Sequence, residues 1–210
     1  MLIEFLINAF AMLFVTIDPI GLAPIFLAVT AGASSVERRQ IAIKAVIISG
    51  ITLLAFFFAG RQLLEVLGIS QAAFKVAGGL LLFIIATEMV FEHRQKRKAE
   101  SAEKVVEQED LSQTAVFPLA IPLIAGPATI SAIILLAGQA PGFSGQMSLI
   151  AVLLSVLALS FFVFLLAARI DKLLGSTVQL IITRLFGVIL AALSVQFVAD
   201  GIFSLIEMHS

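Results

Sequence analysis

Six strongly apolar stretches, separated by short polar or glycine-containing segments, organise the chain. With a helical rise of about 1.5 Å per residue, each stretch can cross the ~30 Å hydrocarbon core of a bilayer. The pattern therefore predicts six membrane-spanning helices, over residues 2–29, 41–59, 72–91, 114–137, 149–168 and 178–206. The segment between the third and fourth spans, 92–113, is the one long polar stretch, and we interpret it as a solvated linker.

The composition also indicates an integral membrane protein. Hydrophobic residues make up 60% of the chain and charged residues 13%, against about 45–50% and about 25% in an ordinary soluble domain. Residues 1–4 lack the positive region of a signal peptide, so we expect the first span to be retained. The chain has no cysteine, which excludes disulfides and thiolate-held metal or haem, and we expect no cofactor.

Five of the six prolines lie in two short patches inside the first and fourth spans. One patch begins at Asp18-Pro19, and the other, over residues 118–127, ends at Gly126-Pro127. Proline removes a backbone donor and clashes with the preceding turn, so each patch should break its helix. In lipid, the freed backbone groups must be satisfied by protein or by a watery cavity. We therefore predict that spans one and four are broken near the membrane midplane.

Several landmarks of the first half recur in the second half at a nearly constant spacing. Each half holds three spans, an odd number, so the second half must insert upside down. The sequence thus predicts an all-α membrane protein of six transmembrane helices, built as two inverted three-helix repeats over residues 1–91 and 114–210, as in many secondary transporters. The landmark pairs, 107–109 residues apart, are Pro19 and Pro127, Arg61 and Arg169, Gly68 and Gly175, and Lys75 and Arg184.

Basic residues are distributed unequally between the two sides of the predicted membrane. Every lysine and arginine except Arg61 and Lys75 falls on the side that holds the 92–113 linker. Cytoplasmic loops carry an excess of Lys and Arg, so this side is predicted to be cytoplasmic. Both termini of this multi-pass protein are then expected outside the cytoplasm.

Asp18-Pro19 and Gly126-Pro127 each have the signature of a helix start. Aspartate accepts hydrogen bonds from exposed backbone N–H groups at a helix N-cap, and proline suits the first helical position. Glycine takes the place of the cap in the second patch. In two inverted repeats, both half-helices would present free N–H groups and positive dipole ends to one central site. Such a site suits a small anion or the carboxylate of a small zwitterion.

The candidate substrate-binding residues lie at and beside the two breaks. Carbonyl oxygens freed near Ile20, Ala120 and Ile124 suit an ammonium group, Na⁺ or water. Asp18, the candidate for ion coupling, has two interpretations that stay open: a helix cap alone, or a cap that also contacts substrate or a proton. The candidate residues are Thr16, Asp18, Pro19, Ile20, Gly21, Leu22, Ala125, Gly126, Pro127, Ala128 and Thr129.

The sequence does not favour an enzyme. No paired carboxylates, nucleophile motif, phosphate loop or metal-ligand cluster stands out, and both histidines, His93 and His209, lie outside the predicted spans. No basic stripe suggests a nucleic-acid partner. The expected partners are the lipid bilayer and a small solute, and the sequence leaves open whether the chain forms a homo-oligomer.

Residues 17–26 and 118–127 resemble two segments of the MarC family of bacterial and archaeal membrane proteins, and the resemblance covers nearly the whole chain. Leu22 and Ala128 depart from it, because the family often has Asn and Gly there. The resemblance implies a secondary transporter of small neutral amino acids, of the glycine and alanine type, coupled to H⁺ or Na⁺ in the cytoplasmic (inner) membrane of a prokaryote. The alternatives are an exporter of other small solutes or drugs, and a non-transporting membrane scaffold or sensor.

Overall fold

Seven helices and one irregular helical segment make up the described part of the protein, residues 2–93 and 115–209 of a computed structural model. No strand occurs in these residues, so the predicted all-α class is confirmed. Of the predicted linker 92–113, all but Glu92 and His93 lies outside the described residues. The helices are α1 (Leu2–Ile17), α2 (Pro19–Val29), α3 (Ser35–Val66), α4 (Gln71–Val90), α5 (Pro127–Gln139), α6 (Gly142–Leu165) and α7 (Ala167–His209), and the irregular segment, Ala115–Ile124, precedes α5. α7 is kinked at Gly175, whose backbone is not helical, with φ 61° and ψ 167°.

Several of these helices are long and apolar enough to cross a membrane. A further candidate is obtained if Val116–Ile124 and Pro127–Gln139, which meet at 49°, form one bent span. The described residues therefore contain five candidate spans, or six with the bent pair, in the order that the hydrophobic pattern predicts. The five are Leu2–Val29, Ser35–Val66, Gln71–Val90, Gly142–Leu165 and Thr177–Met208.

Polar caps determine where α3 and α4 begin. The Ser34 hydroxyl accepts from the Glu37 amide over 3.3 Å, and the Glu37 carboxylate accepts from the Ser34 amide over 2.7 Å. This reciprocal capping box satisfies two backbone donors at the start of α3. Ser70 caps α4 by accepting from the Ala73 amide over 3.1 Å. Because the helix continues through polar residues to its cap, α3 is longer than the predicted span 41–59.

Several of the helix contacts match when the two halves of the chain are exchanged, although the contact between α1 and α5 has no equally extensive counterpart between α2 and the irregular segment. α1 packs against α6, as the irregular segment packs against α3. α2 packs against α7 and α6, as α5 packs against α4 and α3. The most extensive contact, between α4 and α7, maps onto itself under this exchange.

Two glycines allow α4 and α7 to approach closely. A Cβ on Gly79 of α4 would lie 3.0 Å from the carbonyl oxygen of Ser194 in α7. A Cβ on Gly187 of α7 would lie 3.0 Å from the carbonyl oxygen of Ala86 in α4. Gly187 and Ser194 each stand 108 residues after Gly79 and Ala86. The two contacts are therefore reciprocal, one from each half of the chain.

Ion pairs join the same two helices near their opposite ends. Lys75 Nζ lies 3.5 Å from Asp200 Oδ2, and the Arg184 guanidinium pairs with the Glu92 carboxylate. Lys75 lies near the start of α4 and Glu92 just after its end, so the two pairs fix α4 and α7 as antiparallel neighbours. Glu92 and Asp200 are also 108 residues apart.

Candidate functional site

The first chain interruption is confined to one residue, Asp18, between α1 and α2. Its backbone is left-handed, with φ 57° and ψ 62°, a conformation that few residues other than glycine adopt. Its carboxylate accepts from the Gly21 amide over 3.1 Å, and Pro19 occupies the first helical position. The predicted cap is therefore formed. The Asp18 amide still donates to the Phe14 carbonyl over 2.8 Å, and the Leu22 amide to the Asp18 carbonyl over 3.0 Å.

Both Asp18 and Thr16 are buried at this interruption, with 3% and 1% of their surfaces exposed. The Thr16 hydroxyl donates within its own helix, 2.8 Å from the Met12 carbonyl oxygen and 3.2 Å from that of Leu13. Hydroxyls in apolar helices commonly make this contact to the preceding turn. Asp18 thus lies inside the protein, where an acidic side chain is costly unless it is hydrogen-bonded.

The second interruption is longer than the first. Before Gly126 the chain is not a regular α-helix, contrary to the predicted half-helix over 114–125. Phe117 and Ile121 have extended backbones, each followed by a cis peptide bond to Pro118 or Pro122. Proline lacks a donor and disfavours helical geometry in the residue before it, so two prolines four positions apart prevent a continuous α-helix. The segment instead ends in a turn that is one residue wider than a turn of α-helix.

That wider turn occupies one of the carbonyls that the sequence predicted to be free. The Ala125 amide donates to the Ala120 carbonyl, five residues back, over 2.8 Å. The Ser49 hydroxyl of α3 also lies 3.4 Å from this oxygen, while donating to the Ala45 carbonyl over 2.8 Å. The expectation that Ala120 offers a free oxygen to a cation is therefore wrong. The sequence did not predict the contact of Ser49 with Ala120, because a serine within a span most often donates only to a carbonyl of its own helix.

Gly126 forms the start of α5 without a side-chain cap. Its backbone is extended, with φ −88° and ψ 173°, and Pro127 follows at the first helical position. A Cβ on Gly126 would lie 2.3 Å from the carbonyl oxygen of Pro122. Glycine is thus required here by the close approach of the backbone. The sequence identified this residue as a cap but not the contact that excludes a side chain.

Nearly all the predicted site residues are buried. The exceptions are Ile20, which is half-buried, and Pro127, which is exposed. α1 packs against α5, and residues from both breaks belong to one apolar core. That they bind a substrate stays a prediction. The buried members are Thr16, Asp18, Pro19, Gly21, Leu22, Ala125, Gly126, Ala128 and Thr129.

A cavity of about 680 Å³ lies apart from these residues, and none of the predicted site residues lines it. It is formed by the ends of α3, α5 and α7 and the starts of α4 and α6, with Phe56, Phe74 and Ile134 among its apolar residues. Glutamines from four of these helices also line it: Gln62, Gln71, Gln139 and Gln146. The hydrophobic pattern of the sequence did not predict this cavity. Its available signal was the recurrence of glutamine at span ends that the predicted topology places on one side.

Both basic side chains that line the cavity pair with carboxylates. Arg61 Nε lies 2.9 Å from Glu65 Oε1 one turn further along α3, and Lys75 pairs with Asp200 of α7. Gln196 donates to the second oxygen of Asp200 over 2.7 Å. The cavity therefore presents amides, hydroxyls and charge-compensated cations. In residues 2–93 and 115–209, no cluster of three or more His, Asp or Glu side chains could hold a metal ion.

Comparison with known proteins gives a consistent result. Residues 3–206 match the family model described as "MarC family integral membrane protein". The chain is 34% identical to UPF0056 membrane protein YvbG of Bacillus subtilis, with 96% of each chain covered. It is 36% identical to a UPF0056 membrane protein of Archaeoglobus fulgidus, with 95% of this chain and 93% of the relative covered.

A third relative carries a location in its name. UPF0056 inner membrane protein YhgN of Escherichia coli K12 is 32% identical, with 94% of this chain and 95% of the relative covered. No solved structure matches the chain.

Proposed function

Because the chain belongs to the MarC family of integral membrane proteins, we propose that it is a secondary transporter of small neutral amino acids such as glycine and alanine. The observation that carries this proposal is the pair of helix starts, Asp18-Pro19 and Gly126-Pro127, which lie 108 residues apart and whose cap residues Asp18 and Gly126 are both buried. Paired breaks at corresponding positions of two repeats are the best sequence pointer to a transporter's binding site.

The packing supports an inverted repeat, an architecture that many alternating-access transporters share. The reciprocal Gly79 and Gly187 contacts and the two ion pairs between α4 and α7 relate the halves by a spacing of 108 or 109 residues, and several helix contacts match when the halves are exchanged. We propose that the two halves rock against each other about a site between the breaks. Transporters with inverted repeats commonly work in this way.

The chemistry at the breaks favours a small zwitterion. The first amides of α5, which has no side-chain cap, and its positive dipole end suit a carboxylate. Pro24 cannot donate to the Ile20 carbonyl, so this oxygen and the Asp18 carboxylate suit an ammonium group. Thr129 adds a buried hydroxyl. Because Ala125, Gly126 and Ala128 are small and buried, we propose that only side chains about as small as those of glycine or alanine fit.

We further propose that Asp18 couples transport to H⁺ or Na⁺, in addition to capping α2. Ionisable residues inside membrane proteins are costly and are most often functional. We place the protein in the cytoplasmic membrane, with the basic side inward and both termini outside, on the positive-inside rule. The name of the Escherichia coli relative, an inner membrane protein, agrees with this location.

A second candidate function, export of other small solutes or drugs, is favoured by the cavity. Drug-sized ligands bind in apolar and aromatic-lined pockets of about 300–1,000 Å³, and Phe56, Phe57 and Phe74 line a cavity of about 680 Å³.

A scaffold or sensor without transport activity would need neither break. It is favoured if a folded Asp18→Ala, Gly126→Leu double variant keeps all cellular function.

Uptake into proteoliposomes separates these functions. Labelled glycine and alanine should accumulate in vesicles that contain the purified protein under an imposed pH or Na⁺ gradient, and less without the gradient. Competition by unlabelled serine, glutamate, phenylalanine and a set of hydrophobic drugs tests selectivity. Transport of a labelled drug, with no uptake of glycine or alanine, would favour the exporter.

A further inference from the structure

Two buried phenylalanines stack on each other at one end of the molecule. Phe26 of α2 and Phe164 of α6 stack with their ring centroids 4.7 Å apart and their planes within 8°. Both side chains are buried, with 1% and 2% of their surfaces exposed. In the predicted topology, Phe26 lies in the second part of span one and Phe164 near the end of span five. Both positions belong to the cytoplasmic side.

The spacing of the repeat maps these rings onto residues at the other end. Ile134 of α5 stands 108 residues after Phe26, and Phe56 of α3 stands 108 residues before Phe164. Both are only half-buried, and both line the 680 Å³ cavity. The pair Phe26 and Phe164 is therefore stacked and buried, whereas the equivalent pair, Phe56 and Ile134, borders a cavity.

Every helix end around the cavity belongs to the outer side in the predicted topology. These are the ends of spans two, four and six and the starts of spans three and five. Phe26 and Ile134 each follow the break of their own span by eight residues. Spans one and four run in opposite directions in the predicted topology, so the stacked pair and the cavity lie on opposite sides of the membrane. This asymmetry between equivalent positions is what an alternating-access transporter has in a single state.

We propose that Phe26 and Phe164 form the closed cytoplasmic gate, that Phe56 and Ile134 form the equivalent outer gate in its open state, and that the cavity is the outer vestibule. The proposal rests on the proposed transport function. In the opposite state, Phe56 and Ile134 close on each other while Phe26 and Phe164 separate.

The vestibule lining also defines the class of solute that passes it. Its amide groups and its charge-compensated Arg61 and Lys75 can bind a carboxylate without adding unbalanced positive charge. A net-neutral, carboxylate-bearing solute therefore meets no electrostatic barrier there. A dicarboxylate meets no unpaired cation that would compensate its additional charge.

Single-cysteine labelling tests the gates without knowledge of the substrate, because the chain has no cysteine of its own. One reporter is Ile134→Cys, in the vestibule. The other is Ser160→Cys, a buried position one turn before Phe164 on the same face of α6. Each variant is treated with a membrane-impermeant maleimide in right-side-out spheroplasts and in inside-out vesicles.

The expected pattern is asymmetric. Ile134→Cys should react from the outside, at a rate within about tenfold of an exposed control, Phe143→Cys. Ser160→Cys should react from neither side while both rings are present. Adding Phe26→Ala, or separately Phe164→Ala, should raise its labelling from the inside by at least tenfold. Phe10→Ala removes one ring of another stacked pair, with Phe14, and should leave Ser160→Cys protected.

Two results would each contradict the proposed gates. One is labelling of Ser160→Cys from the inside while Phe26 and Phe164 are both intact. The other is failure of Ile134→Cys to react from the outside. Size-exclusion chromatography in detergent shows whether each variant is folded. If both alanine variants misfold, the two reporters with intact rings still decide. If the protein takes up neither glycine nor alanine but gives the expected labelling pattern, the proposed substrate is rejected and the proposed gates are retained.

If it takes up these amino acids but the labelling pattern differs from the expected one, only the gates are rejected.

Discussion

The amide of Gly21 donates to Asp18 over 3.1 Å, and a Cβ on Gly21 would lie 2.3 Å from the same carboxylate. The residue that donates to the cap thus cannot carry a side chain while the cap is in place. Because Asp18 is buried, its carboxylate has little room to move aside. The left-handed Asp18 and the bare Gly21 therefore form one structural unit at the start of α2.

Gly21→Ala should disrupt this unit. The added methyl forces the Asp18 carboxylate away from the Gly21 amide, and loss of a helix cap costs about 0.5–2 kcal/mol. We expect a lower melting temperature in detergent and a loss of uptake. Gly138→Ala is the matched control, because its nearest neighbour, the Gln71 side chain, is 3.7 Å from the added Cβ. Equal melting temperatures for the two variants would contradict this account of the cap.

Substitution of Gly126 should be more damaging than substitution of Gly21. The Cβ of alanine would lie 2.3 Å from the Pro122 carbonyl oxygen, a backbone atom that cannot rotate away. Gly126→Ala should therefore move the irregular segment relative to α5 and abolish uptake. We expect it to lower the free energy of unfolding by at least the 0.5–3 kcal/mol, roughly, that is typical of destabilising point mutations. Thermal unfolding of Gly126→Ala beside Gly138→Ala measures the difference. A Gly126→Ala protein with normal uptake would show that the geometry of this break does not matter for transport.

Asn and Ala substitutions at Asp18 separate capping from ion coupling. Asparagine caps helices about as well as aspartate, whereas alanine costs about 0.5–2 kcal/mol. We expect Asp18→Asn to keep the melting temperature and Asp18→Ala to lower it. If Asp18 also couples transport, Asp18→Asn should lose gradient-driven accumulation yet retain exchange of labelled for unlabelled substrate. Normal gradient-driven accumulation by Asp18→Asn would leave Asp18 a cap alone.

The α4 and α7 contact provides a test of the repeat itself. Gly79→Leu and Gly187→Leu each place a side chain against the backbone of the opposite helix at equivalent positions. Both should be destabilised by similar amounts, of the order of the 1–3 kcal/mol typical of overpacking. Ala77→Leu, at an exposed position of α4, is the control and should change little. A large effect at one glycine with none at the other would argue against equivalent halves.

The hydrophobic pattern predicted the spans well because apolar length alone determines which segments can cross a bilayer. The prolines marked both interruptions for a similar reason, since a missing donor acts locally. The pattern did not predict that Phe117 and Ile121 are extended, or that Ser49 reaches the Ala120 carbonyl. These features depend on how a distorted backbone meets a neighbouring helix.

The gate residues and the cavity could not be derived from local pattern either. Phe26 and Phe164 are separated by most of the chain, and only the packing of α2 on α6 brings their rings together. The pairing of α4 with α7 did leave a signal in the sequence. Glu92 and Asp200 are acidic residues 108 positions apart, and they follow Lys75 and Arg184 at nearly equal distances. Reading these four charges together would have predicted the two ion pairs.

Counterflow in proteoliposomes is the sharpest test of glycine and alanine transport by this protein, because it needs neither a coupling ion nor a known direction of transport. Vesicles containing the protein are loaded with unlabelled glycine or alanine and diluted into a trace of the labelled amino acid. The account predicts a transient accumulation of label that is absent from protein-free vesicles and from vesicles with Gly126→Ala. A folded wild-type protein that gives no accumulation of either amino acid would contradict it.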